Sequence, residues 1–427
     1  MKPYSQMSKE ELLQEKEVLE QQYKEICAKG LKLDMSRGKP SKAQLDLSQP
    51  MMDVLHSDTV LESRLGTDLR NYGVLDGIDE AKELIAGMID TKPENVIVYG
   101  NASLNIMYDT VSRSMVHGVL GHEPWIKQGP VKFLCPVPGY DRHFSICEFF
   151  GIEMVNVPLY EDGPDMDMVE KLVSEDPSVK GIWCVPKYSN PTGTSYSDET
   201  VRRFANLKPA AEDFRIYWDN AYCVHHLYAD KQDKLLDIIS ECEKAGNPDM
   251  VYEFCSTSKV TFSGSGISGL ATSPANKADI IKQLTVQTIG FDKINQLRHV
   301  KFLKDQKGVA EHMMKHAELI RPKFELLTKR FEKELGGLGV GTWTNPNGGY
   351  FIAFFANEGC ARNIVAKAKD AGVVMTGAGA PFPYKKDPKD SVIRIAPTLP
   401  PLEELDEACS VFITCVKLAS VEKLLEQ

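Results

Sequence analysis

Two residues carry the most chemistry in this sequence, a lysine and an aspartate, each placed where a predicted strand ends. Cys255-Ser256-Thr257-Ser258-Lys259 closes one apolar run, and Tyr217-Trp218-Asp219-Asn220-Ala221-Tyr222 closes another. Strand C-termini are where open α/β sheets bind ligands. A lysine amine can add to a carbonyl carbon and then carry a proton, and an aspartate can hold a proton on a basic ring nitrogen. Either residue alone has an ordinary reading, the lysine as a solvated loop residue and the aspartate as a helix cap. Other patterns are weaker. Gly264 to Gly269 fits G-x-G-x-x-G, but a Ser- and Lys-containing segment separates it from its strand, which is the wrong context for a dinucleotide site. His312 and His316 stand four apart on a predicted helix without the Glu of H-E-x-x-H, so no metal site is expected. His225-His226 follows a strand with no Cys or His cluster to match, and reads as structural or as support for a site.

To hold the pair, the chain must build a sheet. Short β-rich runs fall at 96–100, 131–138, 154–159, 181–186, 214–219 and 251–256, with helical patterns between them. Several are apolar on both faces, which suits a largely parallel sheet covered by helices, and the spacings allow right-handed crossovers. Ser8 with Glu11 forms a capping-box pattern, and Leu12, Leu19, Tyr23, Ile26 and Cys27 recur at helical spacing, predicting a helix over 9–29. Beyond about residue 308, a long helical stretch leads to GGYFIAFF, VIRIAP and a final helix from Leu402, the pattern of a smaller α+β unit.

The chain has 427 residues, 42% of them hydrophobic, enough for two or three domain-sized units by length. Its 50 Lys+Arg against 60 Asp+Glu leave a charge of −10, which gives no attraction to a phosphate backbone or an anionic membrane. The ten cysteines form no C-x-x-C pair and no dense framework, so reduced thiols in a cytoplasmic protein are expected. The N-terminus lacks the apolar core of a secretory signal. The uncharged stretch Ala408 to Val416 is far short of the roughly 20 apolar residues a span needs, so no membrane segment is expected.

A Schiff-base lysine and an acid that keeps a pyridine nitrogen protonated are together what a pyridoxal-phosphate enzyme requires. On these residues the chain resembles the fold-type I aminotransferases of the aspartate aminotransferase class, and within it a bacterial branch that shares its catalytic domain with some transcription regulators. The resemblance runs in order through SRGKP, NYGVLDG, YGNASL, VPGYDRHF, NPTG, DNAY, S-x-S-K, NPNGGYF and RIAPTLP. It implies a large cofactor-binding domain over 46–308 and a small domain built from both chain ends, residues 1–45 and 309–427, the latter including an interdomain helix.

The resemblance also implies roles. Lys259 would form the Schiff base and, once freed, act as general base and acid. Asp219 would pair with the ring nitrogen, while Tyr222 and Asn190 would bond the ring hydroxyl. Tyr140 would stack on the ring. The N–H groups of Ala102 and Ser103, at a helix N-terminus, and the hydroxyls of Ser256 and Ser258 would hold the phosphate. Tyr72 would reach that phosphate from a neighbouring subunit, implying a homodimer with shared active sites. One position departs from the pattern: the family's phosphate-binding Arg eight residues after the lysine is Ile267 here.

Arg394 would grip the substrate α-carboxylate, with Asn190 beside it, and Gly38 would lie over the substrate on a closing segment. A second carboxylate would need another cation, Lys293 or Arg298. The expected reaction is transamination between aspartate and 2-oxoglutarate by a ping-pong route. The alternatives on the same fold are an aminotransferase for aromatic, neutral or other acidic amino acids and a β-lyase. A cofactor-sensing regulator is disfavoured because only 35 residues precede Ser36, too few for a winged helix. A nicotinamide oxidoreductase would rest on the glycine pattern alone.

Overall fold

A computed structural model describes residues 2–426. Ser8 caps the helix Lys9–Ala28 as the pattern predicts, its Oγ accepting from Glu11 N while Glu11 accepts from Ser8 N. Strand β1 (Leu33–Asp34) follows. The chain then winds through β2 (Val96–Tyr99), β3 (Lys132–Val137), β4 (Glu153–Tyr160), β5 (Gly163–Pro164), β6 (Val179–Cys184), β7 (Arg215–Asp219), β8 (Val251–Ser256) and β9 (Ser268–Thr272). The last part adds β10 (Gly341–Trp343), β11 (Ile352–Ala356), β12 (Val373–Val374) and β13 (Val392–Ile395).

All six predicted runs are strands of one eight-stranded sheet, in the order β2-β9-β8-β7-β6-β3-β4-β5. Parallel pairing joins β4, β3, β6, β7 and β8. Every side chain of β2, β6 and β7 is buried, because helices cover both faces; full burial of a Val or Ile contributes about 1.5–3 kcal/mol. The fold is therefore α/β, as expected. Strand β9 was not legible: the sequence reads there as a glycine-rich loop, yet Ser268–Thr272 runs antiparallel between β2 and β8. Its small residues serve close packing, since a Cβ on Gly269 would stand 2.5 Å from Ile85 of the helix Asp79–Met88.

The two chain ends meet in a second layer. β1 pairs in parallel with β12, aligning Leu33 with Val373, and β11 lies between β10 and β13 in an antiparallel sheet. Leu12, Leu19 and Met35 share one apolar cluster with Phe354, Val373 and Phe412. The helix Gln306–Glu334 spans the two layers, and its buried face carries His312 and His316 at one end and Phe324 and Phe331 towards the other. No helix among the described residues is long and apolar enough to cross a membrane.

Candidate active site

The strand ends of the large sheet and the second layer enclose a cavity of about 560 Å³. Asp219 enters it from β7, Ser256, Ser258 and Lys259 from the end of β8, Ala102 and Ser103 from the turn after β2, Tyr140 from the turn after β3, and Asn190 from the loop after β6. Gly38, Phe351, Thr376 and Arg394 close it from the other side. Nine segments separated by up to several hundred residues thus converge, the five from the large sheet because its strands end at one edge.

The Lys259 amine lies 5.0 Å from the centre of the Tyr222 ring and 6.0 Å from that of Tyr350. Burial lowers its pKa below the ordinary value, and the Asp219 carboxylate pulls the other way. The result is an amine more easily held neutral than a surface lysine, as nucleophilic and proton-carrying roles require. Asp219 is buried and asymmetric. Its Oδ2 accepts from His143 Nε2 at 2.9 Å, while Oδ1 has no partner at all. A carboxylate can only accept, so His143 carries its proton on Nε2. His143 in turn stacks on Trp183, ring centres 4.4 Å apart and planes at 9°. Burial raises the hydroxyl pKa of Tyr222 well above its usual value and pushes that of Tyr140 up to about 12.

One end of the cavity is a cup of hydroxyls. Ser256 Oγ donates to Ser258 Oγ at 3.1 Å, Ser258 Oγ to Asn101 O at 2.9 Å, and Ser263 Oγ to Ser258 O at 2.7 Å. The helix Ser103–His117 starts at this cup with Ala102 as its N-cap, which offers no side-chain acceptor, so its first N–H groups face the cavity uncapped. Ile267 does not face the cup: it is 1% exposed within the apolar core, and its N–H donates to Thr257 Oγ1 at 2.9 Å. A Cβ on Gly266 would stand 2.8 Å from Thr257 Oγ1, so the loop packs too tightly there for a side chain.

The other end is built around Arg394. Its Nε donates to Thr376 Oγ1 at 3.2 Å, its Nη1 to Asp141 Oδ1 at 3.2 Å and to Asn190 Oδ1 at 3.4 Å, and the guanidinium lies 5.1 Å from the Phe351 ring centre. Three polar partners and an aromatic face fix a planar fork suited to a carboxylate. Gly38 passes so close to Phe351 that a Cβ would clash with the tip of its ring, at Cζ and Cε1.

Tyr72 and Lys293 do not reach this cavity within one chain. They line a second one of about 700 Å³, where Tyr72 is 78% exposed and Lys293 Nζ donates to Gly73 O at 3.0 Å. Arg298 instead ties down the loop, donating to Ser265 Oγ at 2.8 Å and to Asn295 Oδ1. Sequence reasoning missed His143, Asp141, Thr376 and Phe351. His143 had one available signal, its place three residues after Tyr140 on the same helix face. It also treated His312 and His316 as plain helix residues. They form a buried chain behind the lysine: Val260 O lies 2.8 Å from His312 Nε2, which is 3.1 Å from His316 Nε2. Gln44 Nε2 lies 3.3 Å from His316 Nδ1 and donates to Tyr350 OH at 2.9 Å.

These residues fit pyridoxal phosphate. The unpartnered Asp219 oxygen is an acceptor awaiting an N–H donor, the hydroxyl cup and open helix end suit a phosphate, and a lysine with a lowered pKa lines the same cavity. Comparison with known proteins agrees. Residues 7–427 match the family model described as aspartate amino-transferase. A putative aminotransferase of Mycolicibacterium smegmatis is 47% identical over 99% of both chains. An aspartate aminotransferase of Corynebacterium glutamicum is 44% identical over 95% of this chain and 94% of its own. The crystal structure of an aspartate transaminase from Corynebacterium glutamicum superposes with a TM-score of 0.96 at 42% identity, covering 99% of each chain.

Proposed function

The chain belongs to the aspartate aminotransferase family, a fold-type I aminotransferase group, and on that premise we propose that it transfers the amino group of aspartate to 2-oxoglutarate by a ping-pong route. The observation that carries the reading is the alignment, in one cavity, of Lys259, an Asp219 oxygen without a partner, and Arg394 already held as a carboxylate fork. Pyridoxal phosphate, when bound, supplies the electron-poor ring that makes the Cα–H of an attached amino acid acidic.

The chain's own residues do the rest. Arg394, with Asn190 and Thr376 behind it, fixes the substrate α-carboxylate and so sets which Cα bond faces Lys259. Lys259 Nζ takes the proton from the substrate Cα and holds it for return, a role that its lowered pKa favours. Asp219, kept aligned by His143, holds the ring N–H. Asn190 and Tyr222 would bond the ring hydroxyl, and Tyr140 would cover the ring face. Ala102, Ser103, Ser256 and Ser258 hold the phosphate. Gly38 lets the segment 36–40 approach Phe351 and exclude water.

The reading includes a cytoplasmic homodimer whose partner copy supplies Tyr72 to the phosphate, supported by the exposure of Tyr72 and its place on a second cavity apart from the one that holds the cup. The test is a panel of single-turnover reactions followed by cofactor absorbance. L-aspartate and L-glutamate should convert the cofactor to its amine form with the highest kcat/KM. Conversion by aromatic or branched amino acids without conversion by aspartate would reject the substrate assignment, and pyruvate release from a β-substituted alanine would favour a lyase.

A further inference from the structure

Arg142 is the second residue of the helix Asp141–Phe150, and both of its neighbours are fixed in the site: Asp141 accepts from Arg394 and His143 bonds Asp219. Its side chain lines the same cavity as Arg394. It is exposed, and among the described residues it has neither an ion-pair partner nor a side-chain hydrogen bond. The helix end adds to the positive field there, because its N-cap Tyr140 provides no side-chain acceptor. Tyr140, the N-cap of that helix, lines the same cavity as both guanidinium groups.

The other cations are less suited. Lys293 is 5% exposed and spends its ammonium on Gly73 O, and Arg298 spends its guanidinium on Ser265 and Asn295. Arg37 and Lys39 line the cavity from the segment at its mouth, on either side of Gly38, and no helix fixes them. We propose that Arg142 binds the distal carboxylate of a dicarboxylic amino or oxo acid, so that the two ends of the substrate are gripped by Arg394 and Arg142 of the same chain. This rests on the aspartate reading above. Asp141, paired with Arg394 at 3.2 Å, then keeps that guanidinium oriented when no substrate is present.

The test uses the holoenzyme and its Arg142→Ala, Arg142→Lys and Lys293→Met variants. Single-turnover kcat/KM is measured with L-aspartate, L-glutamate and L-alanine, and succinate and propionate binding by calorimetry. Arg142→Ala should lower kcat/KM for aspartate and glutamate, and weaken succinate, by roughly ten- to a hundredfold, the loss of a charged hydrogen-bonded contact. Alanine and propionate should stay within about twofold, Arg142→Lys should recover part of the loss, and Lys293→Met should keep the dicarboxylate-to-alanine ratio. The assignment is overturned if Arg142→Ala leaves that ratio unchanged, if it weakens all substrates equally, or if Lys293→Met lowers the ratio instead. A wild-type enzyme with no preference for dicarboxylates would overturn the substrate reading as well. A preference that survives Arg142→Ala would overturn only the role of Arg142.

Discussion

His143 Nε2 sits 2.9 Å from Asp219 Oδ2, and both side chains are almost wholly removed from solvent. The contact occupies one carboxylate oxygen and aims the other, which has no partner, into the cavity. His143→Phe keeps a ring against Trp183 but leaves Asp219 free to rotate. Loss of a buried hydrogen bond to a charged group costs about 1.5–3 kcal/mol. The cofactor Kd, measured by fluorescence after dialysis, should rise roughly ten- to a hundredfold, with a parallel fall in kcat. Unchanged affinity and turnover would mean that packing alone orients the aspartate.

Lys259→Ala should reduce transamination by a factor of at least about 10² to 10⁴ and remove the visible band that depends on the covalent cofactor. Stability should move the other way. The folded-state pKa of Lys259 is lowered from its ordinary 10.5 by burial, so the unfolded chain binds the proton more tightly. The cost is fully present below the folded pKa and disappears as pH rises through 10.5. Urea unfolding of cofactor-free Lys259→Met should therefore show a stability gain at pH 7 that shrinks towards zero by pH 10.5.

Gly38→Ala drives a methyl group against the tip of the Phe351 ring, and that ring lies 5.1 Å from the Arg394 guanidinium. Overpacking of this kind costs about 1–3 kcal/mol. KM for the amino-acid donor should rise roughly tenfold or more, while the cofactor absorbance spectrum stays as in the wild type. A variant with lost cofactor and unchanged KM would place the strain elsewhere.

Ile267→Arg restores the residue type that the family uses for phosphate, but at a position that points into the core. An unpaired charge buried there should destabilise the fold by roughly 3–5 kcal/mol and leave cofactor affinity no tighter. The urea midpoint and equilibrium dialysis read the two effects separately.

The sequence made the sheet and the floor of the site legible because both depend on short-range signals. Apolar runs report strands covered on two faces, and residues at strand ends share an edge once the strands are parallel, so Asp219 and Lys259 could be placed together from the sequence, while Ser103 and Asn190 were reached through the resemblance. Contacts set by side-chain direction were not legible. Nothing local to Ile267 says that it faces inward, and nothing local to His143 says that its ring reaches β7. Strand β9 escaped because Ser268, Gly269 and Ala271 serve close backbone packing, which leaves no apolar periodicity to read.

The joining of the two chain ends also sets an order of assembly. Tyr23 OH donates to Lys367 O, 344 positions away, and β1 has no strand partner until Val373 is made. During synthesis the first helix leaves the ribosome long before the surface that covers its apolar stripe, whereas β2 to β9 complete a sheet by Thr272. Closing so long a loop adds little equilibrium cost, since each doubling of length takes only about 0.6 kcal/mol, but it delays the pairing. Gly38 and Arg394 lie on either side of that late seam. The nascent chain therefore owns a cofactor floor well before it owns the Arg394 grip on the α-carboxylate, and competence to bind both ends of a substrate is the last property the molecule acquires.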